Sequence, residues 1–182
     1  MAQDDLFRML DELSITTQSA PSPPYILHRA FGENSVSTFC PVAGFLAGDT
    51  SGDVQVDRKQ VEGHFDWNQR ELKTMLVSTT TEPRKALTMA RAYRSYYGRN
   101  VRVFIATLDT RRSSPERPPR HRMQSLAKRF AYTPEPKAND PSEYVFERRI
   151  PPEWVTRVVE LGEDPFAAKR CGENLYRVFS RS

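Results

Sequence analysis

Apolar residues follow two rhythms along this chain, and each rhythm predicts a different kind of element. Residues 25–31 alternate, so that Tyr25, Leu27, Arg29 and Phe31 share one side of an extended strand that Gly32 and Asn34 end. Residues 73–78 give a second strand centred on Met75, Leu76 and Val77. Residues 101–108 give a third, apolar on both faces apart from Arg102 and therefore expected inside a sheet. Residues 143–150 and 154–161 read as two closing strands, separated by Pro151 and Pro152. Helical spacing is found over residues 1–15, where Leu6, Met9, Leu10 and Leu13 share a face. It returns from about Pro83, where Ala86, Ala90, Tyr93 and Tyr97 form a stripe that Gly98 terminates.

Between these elements the pattern is weaker. Residues 44–57, rich in Gly, Asp, Ser and Thr, predict mostly loop, and residues 57–72 predict at most a short helix. Residues 109–141 are irregular and Pro-rich with one candidate helix, 124–130, and read as a long basic insertion. The expected organisation is an amphipathic helix and linker (1–19), one domain (20–161) and a tail (162–182). Strands and helices do not alternate strictly, and neither GxGxxG nor GxxxxGK[ST] is present, so the expected class is α+β and not a dinucleotide-binding doubly wound sheet.

Composition changes this picture little. The chain has 182 residues, enough for one well-buried core, with 38% hydrophobic and 27% charged residues. No apolar run approaches the roughly 18–20 residues that span a bilayer. Residues 1–19 lack the basic start and apolar centre of a secretion signal, so an intracellular location, cytoplasm or nucleus, and no membrane partner are expected. Cys40 and Cys171 are too few for a disulfide scaffold and read as free thiols, with a single disulfide left open. No Cys/His spacing suggests a metal site. The net charge is +4, and residues 109–137 hold eight Lys/Arg against three acids. That excess reads as a solvated loop or as a surface for a phosphate-rich or acidic partner; a nucleic acid has no recognised motif to support it.

Three features carry chemistry. Arg29 sits on an apolar strand face, where an unpaired guanidinium is costly, so it needs either an internal ion pair or a bound phosphate. Ser78, Thr79 and Thr80 end a buried strand before a helix, either as caps (Thr80 or Thr81) or as hydroxyls that orient a carboxylate or a ribose. Glu143 stands at a loop-to-strand junction, either solvated or held rigidly over a cleft. His28 is on the opposite face from Arg29 and reads first as a hydrogen-bonding core residue. His64, Asp66 and Trp67 form a polar–aromatic cluster that packs or lines a pocket. Glu147 is expected to be solvated or paired with Arg148 or Arg149 neighbours.

In order and spacing, Leu27-His28-Arg29-Ala30, Val77-Ser78-Thr79-Thr80 and Glu143 followed by Ile150-Pro151 resemble the Arg–Ser–Glu branch of the ADP-ribosyltransferase superfamily. The likeness is to catalytic subunits of the heat-labile enterotoxin and cholera toxin type; His64-Phe65-Asp66-Trp67 and residues 101–110 also resemble an uncharacterised fungal family of enterotoxin-like domains. The resemblance implies a split β-sheet core with flanking helices, and NAD as substrate, cleaved at the nicotinamide–ribose bond. Glu143, Ser78 and Arg29 would form the catalytic set. Arg29, Ser78, Thr79, Thr80 and His28 would contact NAD, with Arg29 on the phosphates and Glu143 on the ribose. Arginine-modifying relatives carry a second acid two residues before the catalytic glutamate; here that residue is Pro141. The implied outcomes are transfer to another acceptor (a protein among the candidates), NAD hydrolysis, or an inactive binding module.

Overall fold

The structure, a computed structural model, describes residues 24–51, 55–66, 72–98, 100–132 and 140–161 and the backbone of 176–178. The expected helix at 1–15, Trp67 and Cys171 lie outside the described residues.

Two antiparallel sheets share a core. The larger has seven strands in the order β10-β9-β5-β1-β4-β7-β6, the smaller the order β2-β3-β8. Here β1 is Ile26–Gly32, β2 Thr38–Cys40, β3 Gly44–Leu46, β4 Leu76–Thr80 and β5 Val103–Asp109. β6 is Arg120–Arg122, β7 Glu143–Glu147, β8 Arg149–Ile150, β9 Val155–Leu161 and β10 Tyr176–Val178. The helices are α1 (Arg58–Phe65), α2 (Pro83–Tyr97) and α3 (Met123–Arg129), and a 3-10 turn covers Pro152–Trp154. Among the described residues no helix is long and apolar enough to cross a membrane.

Alternation along the strands sends apolar side chains to both faces of the large sheet. One set, with Leu27, Phe31, Val77 and Phe146, packs on Phe45 and Ile150 of the small sheet and on Trp154. The other, with Ala30, Val103, Ile105 and Val159, receives Ala86 and Ala90 of α2. The small side chains of that helical stripe let the helix lie close to the sheet. A third cluster joins Val61 and Phe65 of α1 to Met123 and Leu126 of α3 over Met75, Leu76 and Val145. Each fully buried Leu, Val or Phe here contributes about 1.5–3 kcal/mol, which sets the layers firmly.

The helix termini follow local chemistry. Asp57 caps α1 by accepting from the Gln60 N–H at 2.8 Å. Pro83 opens α2 and Gly98, at φ +103°, closes it. The N-cap is Glu82, not Thr80 or Thr81; Thr80 instead uses its hydroxyl to accept the Glu82 N–H at 3.1 Å.

Four short strands and one break were not expected; one of the four, β10, pairs with β9 from within the expected tail. β3 lies where loop was predicted and forms a hairpin with β2, in a stretch assigned no element, and β6 lies inside the supposed irregular insertion. The expected strand 143–150 is two strands belonging to different sheets. Its corner is Arg148, at φ +65°. The Arg148 N–H donates to the Met75 carbonyl at 2.6 Å, and its own carbonyl accepts from the Ala47 N–H at 2.7 Å. These two bonds hold an unfavourable left-handed residue in place.

The strand order also contains a split. β1 pairs along its whole length with β5 but meets β4 only at His28 opposite Thr80. β4 in turn pairs along its whole length with β7, from Leu76 opposite Glu147 to Thr80 opposite Glu143.

Candidate functional site

A cavity of about 110 Å³ opens beside this split, and Arg29, Ser78 and Glu143 all line it, with His64 of α1 and Met89, Tyr93 and Tyr97 of α2. Strand register explains the convergence. Thr80 faces Glu143 and Ser78 faces Val145 across the β4–β7 pair, so Ser78 and Glu143 are diagonal neighbours on one face.

Arg29 comes from the other face of β1. It is only 5% exposed, and its Nη1 donates to the Ser78 carbonyl oxygen at 2.6 Å. Its guanidinium lies 5.2 Å from the Phe45 ring centroid. Among the described residues its Nε has no hydrogen-bond partner and no carboxylate forms an ion pair with it. Burial accordingly pulls its pKa down from the ordinary arginine value. The internal ion pair considered from the sequence is therefore absent among these residues, and a buried cation faces a cavity that holds Glu143.

Ser78 links two groups. Its hydroxyl hydrogen-bonds the Glu143 carboxylate, and its Oγ also bonds Nε2 of His64. His64 Nδ1 lies 3.0 Å from Thr74 Oγ1. A neutral imidazole carries one N–H, so His64 donates one of these two bonds and accepts the other. Burial, then the nearby charge of Arg29, push the His64 pKa down to about 4, so this relay is neutral at physiological pH.

Glu143 is held from a third side. Lys85, in the first turns of α2, places Nζ 3.4 Å from Glu143 Oε2 and 2.9 Å from Asp140 Oδ2. Asp140 is fixed by the Ser142 N–H at 2.7 Å and the Ser142 hydroxyl at 2.6 Å. Burial raises the Glu143 pKa above its ordinary value; Lys85 and the Ser78 hydroxyl act against that rise.

Three expected contacts with NAD are not brought to the cavity. Thr79 is 3% exposed on the opposite side of β4, and its hydroxyl donates to the Tyr144 carbonyl at 3.0 Å. Thr80 is 1% exposed and engages Ser142 Oγ at 3.0 Å. His28 has Nδ1 3.3 Å from Thr107 Oγ1, and burial lowers its pKa. All three brace strands around the site. Glu147 pairs with Nε2 of His121 at 2.7 Å, across β6–β7.

Lys85 completes the site and was not singled out from the sequence, whereas His64 and Asp66, read there as packing or pocket-lining residues, do line the cavity. His64 lies fourteen residues before Ser78 and reaches it only because α1 packs on Met75 and Leu76. Among the described residues no group of three or more His, Cys, Asp or Glu is arranged to hold a metal ion.

A sequence comparison with curated proteins gives no match. Among solved structures the fold is similar to EcPltA, with a TM-score of 0.52 and 18% identity over 82% of this chain and 82% of that one. At that identity the likeness is one of fold: α+β, with the split sheet and flanking helices. Residues 22–164 match the model of a family described as a domain of unknown function (DUF7587), and the chain belongs to that family.

Proposed function

We propose that the cavity binds NAD and that the protein cleaves its nicotinamide–ribose bond, as an ADP-ribosyltransferase or an NAD glycohydrolase. The observation that carries this reading is Arg29, a buried guanidinium with an unsatisfied Nε and no carboxylate partner among the described residues, lining one cavity with Glu143. A buried cation of this kind is stabilised by an anion from outside, and a pyrophosphate suits its planar donors.

The chemistry assigned to the other residues follows from charge. When the C1′–N1 bond breaks, its electron pair passes to the ring nitrogen, nicotinamide leaves neutral, and positive charge develops on the sugar. A fixed carboxylate acts where that charge appears. Glu143 is that carboxylate. Ser78 and Lys85 hold its two sides, so little reorganisation is needed during the step. His64 stays neutral and orients Ser78.

A second reading, an inactive binding module, has one observation in its favour. Lys85 already occupies a carboxylate oxygen of Glu143, and Pro141 stands where arginine-modifying relatives carry an acid. The deciding experiment incubates the purified protein with NAD and measures nicotinamide release beside a Glu143→Gln variant. Release by the wild type that drops at least a hundredfold in the variant supports the enzyme. A melting-temperature shift by NAD without release supports the binding module, and neither release nor shift rejects NAD as the ligand.

A further inference from the structure

Helix α2 lines the cavity with one residue per turn: Met89, Tyr93 and Tyr97 all face it. One turn before Met89, Lys85 touches Glu143. From Lys85 to Tyr97 the helix rises about 18 Å, at about 1.5 Å per residue. Charged groups lie along this wall. Glu143 is at the Lys85 end, and Arg29 lines the same cavity as Tyr93. The far end is aromatic. Tyr97 stacks on Tyr93 with centroids 6.0 Å apart and 10° between the rings, and Tyr96 meets Tyr97 edge-on at 4.8 Å. Tyr96 is 54% exposed, on the same helix that buries Ala86 and Ala90.

A cavity of about 110 Å³ is well below the roughly 300–1,000 Å³ that encloses a drug-sized ligand. A dinucleotide reacting at Glu143 must therefore run out of it, along a wall.

We infer that Tyr97, flanked by Tyr96, is the platform for the adenine ring, so that α2 reads the dinucleotide from the reacting ribose at Glu143, through the phosphates at Arg29, to the base. The inference rests on the NAD reading. It assigns the base to ring stacking, which every purine satisfies, and makes the adenosine half a source of affinity separate from the reacting half.

The test compares two ligands that differ in the adenosine half, with nicotinamide release from the mononucleotide followed under the same conditions. ADP-ribose carries the adenine; nicotinamide mononucleotide does not. Their dissociation constants are measured calorimetrically for the wild type, Tyr97→Ala and Tyr97→Phe. Expected is roughly a tenfold weakening of ADP-ribose in Tyr97→Ala, no change for nicotinamide mononucleotide, and wild-type affinity in Tyr97→Phe, which keeps the ring. An unchanged ADP-ribose affinity in Tyr97→Ala, or equal losses for both ligands, overturns the platform while leaving the NAD site standing. A wild type that binds neither ligand and shows no melting shift with NAD overturns both.

Discussion

The Arg29 guanidinium donates to the carbonyl of Ser78 across the split between β1 and β4, so the residue that holds Glu143 through its hydroxyl holds the buried cation through its backbone. One side chain thus fills the backbone gap left where the two strands part after His28 and Thr80. That single bond offsets only part of the desolvation of the guanidinium. Arg29→Met, which keeps the length and removes the charge, is expected to leave the free protein at least as stable as the wild type. It should abolish the rise in melting temperature on adding NAD. A variant that melts lower yet still responds to NAD would show Arg29 to be a structural cation only.

Lys85 supports the charge of Glu143 and its placement. Its ammonium faces the carboxylate from α2 and also pairs with Asp140, and the Ser78 hydroxyl acts on the same carboxylate. Lys85 lowers the Glu143 pKa, so Lys85→Met is expected to raise it. The acid limb of the nicotinamide-release profile should move to higher pH, with kcat down roughly tenfold and KM for NAD little changed. Lys85→Arg should restore both. A fall in rate at every pH with an unmoved profile would assign Lys85 to packing alone.

How far the sequence exposes this site depends on the range of each signal. Arg29, Ser78 and Glu143 are legible because each carries an unusual residue type on or beside a strand, and because their order matches a known set. α2 is legible from its stripe, Pro83 and Gly98. Thr79 could have been set aside from the sequence, since alternation turns it away from Ser78. β2, β3 and β6 are three residues each, too short for a period to register. The corner at Arg148 sits between Glu147 and Arg149 with no glycine or proline to announce it; distant carbonyl and amide partners impose it. His64 and Lys85 depend on where two helices dock, which no local pattern encodes.

Gly44 tests the junction of the two sheets. It has φ +79°, and a Cβ there would lie 2.0 Å from the Ile150 carbonyl oxygen and 2.8 Å from the Pro152 nitrogen. Both neighbours are backbone, so neither can swing aside. Gly44→Ala is expected to destabilise by about 3 kcal/mol or more, read as a lower denaturant midpoint at unchanged slope. Gly98 is also at positive φ but has open space around it, so Gly98→Ala should cost only about 1 kcal/mol. Equal costs for the two would mean that β3 moves freely against β8.

The neutral state of His64 makes stability depend on pH. In the unfolded chain its pKa is near 6.5; folded, burial and Arg29 hold it near 4. Between those values the unfolded chain binds the extra proton, so this contribution is complete above pH 6.5 and is lost as the pH falls towards 4, amounting to about 3 kcal/mol. Glu143 acts in the opposite sense. Its raised pKa means that the folded protein holds that proton more tightly, so Glu143 costs stability as the pH rises from its ordinary 4.5. The two slopes overlap and partly cancel in the wild type. In Glu143→Gln the opposing carboxylate slope is gone and the imidazole slopes of His64 and His28 remain: unfolding free energy measured by denaturant should fall from pH 6.5 to 4, and His64→Gln in the same background should make that fall shallower. A slope left unchanged by the loss of His64 would have to come from another buried group, His28 being the first to replace, and would mean that the Thr74–His64–Ser78 relay is not held neutral by burial.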